Sequence, residues 1–140
     1  MDGKNPDKEN SIAYIEGAIE AGFDVEVDVW WIKGKWFLGH DGPQYSTGLK
    51  WLSKHNDKLW CHAKNVYALF HLTANGLHTF YHQTDTVTLT TARYMWTYPG
   101  KRPLTSISIA VKPEITDWTM EELGLCAGLC SDHIDKYKVD

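Results

Sequence analysis

Residues 23–32 constrain this chain more than any other stretch. Phe23, Val25, Val27 and Val29 alternate with Asp24, Glu26, Asp28 and Trp30. Period two predicts a β-strand with one apolar and one acidic face. An acidic face has two physical outcomes. It stands in water, or it lies inside a closed sheet, where neighbouring carboxylates persist only beside a cation or strong hydrogen-bond donors. The alternation by itself fits both.

The segments around this strand alternate in type. Residues 1–8 are polar and read as a loop. Asn10-Ser11 can cap a helix, and Ile12, Ile15, Ala18 and Ile19 follow at helical spacing until Gly22. Lys33-Gly34-Lys35 reads as a turn and Trp36-Phe37-Leu38 as a return strand, broken at His40-Asp41-Gly42-Pro43. Helices are expected over 47–55, 65–74, 117–123 and 133–138. Strands are expected over 59–62, 77–81, 106–111 and 128–131, with one or two more within 85–98. This order predicts an α/β fold with mainly parallel strands.

Length and composition bound the answer further. The 140 residues make one domain, 1–140, by size. Eight regular βα units need about 250 residues, so a full barrel does not fit. A 43% hydrophobic and 23% charged composition, with aromatics throughout, supports a folded core rather than disorder. The net charge of −4 argues against a nucleic-acid partner, which needs a basic footprint. It leaves room for a small anion held by a local group of Lys, His and metal. The three cysteines, Cys61, Cys126 and Cys130, match no zinc spacing and read as buried free thiols of a cytoplasmic protein. The start Met1-Asp2-Gly3-Lys4 has no apolar signal segment, and no apolar run reaches the roughly 18 residues of a membrane span.

Several polar residues can carry chemistry. Glu26 and Asp28 are two apart on one strand face, and their oxygens suit Mg²⁺ or Ca²⁺. His40 ends the return strand, where an imidazole can move protons at neutral pH or simply occupy a surface turn. His62 and Lys64 share a face at the close of another strand. They read as a metal ligand and a point charge for phosphate, or as a solvated strand end. His82, Gln83, Lys112, Glu114 and Asp132 lie near other expected strand ends, and Trp96 and Tyr98 can wall a pocket. Seven tryptophans are many for this length. Most should serve packing, but exposed ones can stack on sugars, so an aromatic-rich carbohydrate-binding module is a rival reading.

Three of these segments together resemble the glycerophosphodiester phosphodiesterase family. They are Glu9-Asn10-Ser11 before a helix, Phe23-Asp24-Val25-Glu26-Val27-Asp28-Val29, and Gly39-His40-Asp41. In that family an E-N-[TS] helix start precedes a G-x-E-x-D strand and an H-D pair. Cys61-His62-Ala63-Lys64 stands where an E-x-K strand end is usual, and Ser131-Asp132-His133 resembles the final T-D pair. The match is specific over 9–41 and loose after 65.

The resemblance implies a reduced or incomplete TIM-type (β/α) barrel and metal-dependent hydrolysis of a small phosphodiester. It implies a divalent metal on Glu26 and Asp28, with His62 in place of a third carboxylate. Mg²⁺ or Ca²⁺ is the expected ion, and the imidazole shifts preference toward Mn²⁺ or Zn²⁺. His40 becomes a catalytic acid or base, Lys64 and Glu9 bind substrate, and Trp96 walls the pocket. The family's second catalytic histidine belongs to an H-R-G motif on a strand before E-N-[TS], and this sequence contains neither. That departure makes a non-catalytic relative, binding a phosphorylated ligand or a partner, the alternative. Unpaired barrel edges also predict self-association.

Overall fold

The acidic strand forms as β1 (Val25–Ile32) in a computed structural model that describes residues 8–137. The loop expected over 1–8 therefore lies outside the described residues except for Lys8, as does residue 138 of the last expected helix. The described chain packs as two units, residues 8–81 and 82–137.

In the first unit β1 turns back into β2 (Lys35–Leu38) through Lys33 and Gly34, with φ of 51° and 78°. Positive φ at both central residues is what a two-residue hairpin turn needs to match strand twist. A short strand not expected from sequence, β3 (Tyr45–Thr47), adds antiparallel to β2. On the other side β1 pairs in parallel with β4 (Leu59–Ala63), which pairs in parallel with β5 (Thr79–Phe80). The sheet order is β3-β2-β1-β4-β5.

Helices α1 (Ile12–Glu20), α2 (Leu49–Lys54) and α3 (Val66–Ala74) complete this unit. Ser11 caps α1, its hydroxyl accepting from Tyr14 N at 3.4 Å. Asn65 caps α3, accepting from Ala68 N at 2.9 Å, and also binds the Trp31 backbone. Ile15, Ala68 and Leu72 from the helices close over Val27, Val29, Cys61 and Ala63 from the strands. One face of β1 and β4 is therefore dry core, which commits Glu26, Asp28 and His62 to the opposite face.

The second unit holds β6 (Val87–Leu89), β7 (Met95–Thr97), β8 (Ser108–Val111) and β9 (Gly128–Cys130), in that order. β6 and β7 are antiparallel, and the remaining pairs are parallel. Ala110, Trp118 and Leu123 form its core. The helix expected over 117–123 is shorter, α4 (Met120–Leu123), because a capping box starts it at Thr119. There Glu122 N donates to the Thr119 hydroxyl, and Thr119 N to the Glu122 carboxylate. The terminal helix is a single 3₁₀ stretch, Ile134–Tyr137.

The α/β expectation thus holds, as two mostly parallel sheets. Among the described residues there is no closed barrel. Antiparallel strands β2, β3 and β6 stand where a regular barrel would continue with parallel neighbours. Among the described residues no helix is long and apolar enough to cross a membrane.

Candidate metal centre

Register brings the polar side chains together. β1 and β4 pair with Asp28 opposite His62, and β4 and β5 pair with His62 opposite Phe80. Residues paired in adjacent strands project to one side, so Asp28, His62 and Phe80 form a row. His62 lies flat on Phe80, with ring centroids 4.9 Å apart and planes 10° apart. That stack directs the imidazole edge at the acids. Its Nδ1 is 3.1 Å from Asp28 Oδ1 and 3.7 Å from Glu26 Oε1. One ligand atom from each of Glu26, Asp28 and His62 lies within 4.8 Å of the others. Two carboxylate oxygens and an imidazole nitrogen at this spacing can hold a divalent ion.

The acidic face runs from water into the interior: Asp24 is exposed, Glu26 is half-buried, and Asp28 is 3% exposed. Its charge is met from three sides. Asn10 Nδ2 donates to Oδ2 at 3.1 Å, His62 faces Oδ1, and Lys64 Nζ stands 3.9 Å from Oδ1. Burial pushes the Asp28 pKa up. The hydrogen bonds from His62, Glu26 and Asn10, with the Lys64 charge, outweigh it and hold the carboxyl below its ordinary value. Glu26 goes the other way. Burial and the adjacent Asp28 charge raise it to about 7 against the pull of His62. Burial lowers His62, but its hydrogen bonds and charge contacts with both acids win and raise it. The face therefore retains protons near neutrality, and a cation can displace them.

The other expected residues are placed as follows. Glu9 is half-buried, one residue before Asn10. His40 lies beyond β2, with 65% of its side chain open to water and Nδ1 2.9 Å from the fully exposed Asp41 carboxylate. Its loop is tied to β1 at Gly39, whose N–H donates to the Asp28 carbonyl at 3.1 Å. The Gly39 carbonyl accepts from Trp30 Nε1 at 2.7 Å. Trp96 belongs to the second unit, buried in β7 with Thr88 and Ile109 as strand neighbours. Sequence reasoning missed Asn10 as a member of the site. It reads as part of a helix cap, although it lies within the Glu9-Asn10-Ser11 segment that carries the resemblance. Comparison with family models, with curated proteins and with solved structures finds no match for this chain.

Proposed function

We propose that this chain is a metal-dependent phosphodiesterase domain related to the glycerophosphodiester phosphodiesterases and acting on small phosphodiesters. One observation carries the reading. The three sequence segments that suggested the family meet at a single residue, Asp28. Asn10 binds its carboxylate, and Gly39, next to His40, binds its carbonyl. The Gly39 bond continues the β1–β2 ladder, whereas the Asn10 bond joins residues 18 apart that no hairpin brings together.

Glu26, Asp28 and His62 would hold the ion. The imidazole favours Mn²⁺ over the Mg²⁺ or Ca²⁺ that carboxylates alone would choose. A divalent ion held there would supply positive charge against the diester and the charge developing on the leaving oxygen. Lys64 adds a point charge beside it. Asp41 holds His40 at Nδ1, leaving Nε2 to take a proton from the attacking oxygen. Where the substrate carries a neighbouring hydroxyl, that oxygen bonds to phosphorus as the bond to the departing alkoxide breaks, giving a cyclic phosphate.

A second reading, binding without turnover, is favoured by the state of His62. Its Nδ1 already faces both carboxylates, so it is poorly placed to serve as the second proton-transfer imidazole. Lacking one such group lowers the rate by about two to four orders of magnitude. The carbohydrate-module reading asked for a solvated acidic face, and the burial of Asp28 weighs against it. A reduced barrel belongs to the same proposal and is supported only by the parallel runs β1-β4-β5 and β7-β8-β9. Placement in the cytoplasm rests on the free thiols of Cys61, Cys126 and Cys130.

The test is hydrolysis of a chromogenic aryl phosphodiester with Mn²⁺, Mg²⁺ or Ca²⁺, against EDTA and Asp28→Ala. Metal-dependent turnover lost in Asp28→Ala supports the enzyme. Phosphate binding without turnover under any metal moves the conclusion to the second reading. Undiminished activity in Asp28→Ala removes the metal centre from the reaction.

A further inference from the structure

Asn10 is buried, and its backbone sits in the left-handed region at φ 65°. Non-glycine residues seldom adopt that conformation, although Asn tolerates it better than most. Its side chain reaches 18 residues along the chain to make two bonds with one partner. Oδ1 accepts from Asp28 N at 2.8 Å, and Nδ2 donates to Asp28 Oδ2 at 3.1 Å. These bonds fix the amide's orientation. Only the oxygen can face the backbone N–H, so the nitrogen must face the carboxylate.

The consequence falls on Asp28. With Oδ2 held by Asn10, its other oxygen, Oδ1, is the one turned toward His62 and Lys64. A carboxylate otherwise swings about its terminal torsion, which is broad and roughly two-fold. A planar amide anchored to the backbone of the same residue removes that freedom.

We propose that Asn10 is a positioning residue for the metal centre, clamping Asp28 so that it offers a single oxygen, Oδ1, to the cation. This rests on the metal reading given above. The competing explanation is that Asn10 merely makes the left-handed turn leading into α1. Glycine separates the two, because it takes positive φ without strain yet has no side chain. Asn10→Gly keeps the turn and deletes the clamp.

The experiment titrates Mn²⁺ into the full chain, wild type and Asn10→Gly, following free Mn²⁺ by electron paramagnetic resonance. Urea unfolding of the metal-free proteins runs alongside. Partners that orient a metal ligand typically contribute 10- to 100-fold in affinity. We expect Asn10→Gly to bind Mn²⁺ weaker by about that factor, with a lowered urea midpoint from the two lost bonds but a cooperative transition that shows the chain still folds. Equal affinity in the two proteins overturns the proposal and leaves Asn10 as a turn residue. Absence of Mn²⁺ binding by the wild type defeats the underlying metal reading, a distinct result that takes the clamp with it. Should Asn10→Gly fail to fold, infrared difference spectra of wild type with and without Mn²⁺ decide the matter. Asp28 bands, assigned by their loss in Asp28→Ala, are expected at the wide splitting of one-oxygen coordination. Two-oxygen coordination by Asp28 overturns the clamp, since Asn10 would then not restrict Asp28 to Oδ1.

Discussion

Raising the pH should destabilise the metal-free protein, and Glu26 is the reason. Its carboxyl lies at about 7 instead of the ordinary 4.5, raised by burial and by the Asp28 charge. A group whose pKa is higher folded than unfolded contributes stability while the native state holds the extra proton. That contribution is complete below 4.5 and is lost as pH rises through about 7. The full difference corresponds to roughly 3 kcal/mol. Because 26% of the side chain remains open to water, we expect roughly 1–2 kcal/mol in practice. His62, also raised, acts in the same sense: its share is present below 6.5 and lost above its folded pKa. His78 opposes both. Burial lowers it against the pull of Asp24, so its share grows as pH rises toward 6.5. Asp28 is lowered, so its stabilisation disappears only as pH falls below 3.8, outside this window.

The expected net effect is a fall in Tm of roughly 3–8 °C between pH 5 and pH 8. Urea and thermal unfolding in EDTA, followed by tryptophan fluorescence, measure it directly. Glu26→Gln cannot ionise, and its profile should be flatter by the Glu26 share. Excess divalent ion should restore wild-type stability at pH 8 by mass action. Parallel pH profiles for wild type and Glu26→Gln would falsify the argument, because they would mean that Glu26 ionises alike in the folded and unfolded chain.

Two substitutions away from the ligands test how the site is held. A Cβ at Gly39 would meet the Gly42 carbonyl oxygen at 2.0 Å. Gly39→Ala should therefore cost more than about 2 kcal/mol by forcing the loop before His40 to move; an unchanged urea midpoint contradicts this. Asn65 caps α3 and bonds both the N–H and the carbonyl of Trp31. Asn65→Ala should lower stability by roughly 1–3 kcal/mol, and a loss below measurement error shows that water replaces those bonds without penalty.

Part of this molecule was readable residue by residue. The alternation through β1, the turn at Lys33-Gly34 and the apolar spacing of α1 are local patterns, and each produced the expected element. Thr119-x-x-Glu122 was an equally local signal, a capping box that marks where α4 begins, and the expected 117–123 helix overlooked it. β3 could not be read, because three residues that form a strand only by pairing with β2 carry no period of their own. The candidate site divides the same way. Glu26 and Asp28 follow from their spacing on one strand. That His62 faces them depends on β4 lying parallel to β1 in one particular register.

The sequence by itself determined that two carboxylates share a strand face and that a histidine and a lysine share another, because side-chain direction in a strand has period two. Only the tertiary structure decided that the His62 imidazole meets those acids and that Asn10 bonds to one of them. Each of these depends on chain segments 18 to 34 residues apart in sequence being packed together. That packing comes from the dry face of the sheet closing under α1 and α3, and no periodicity within a single segment encodes it.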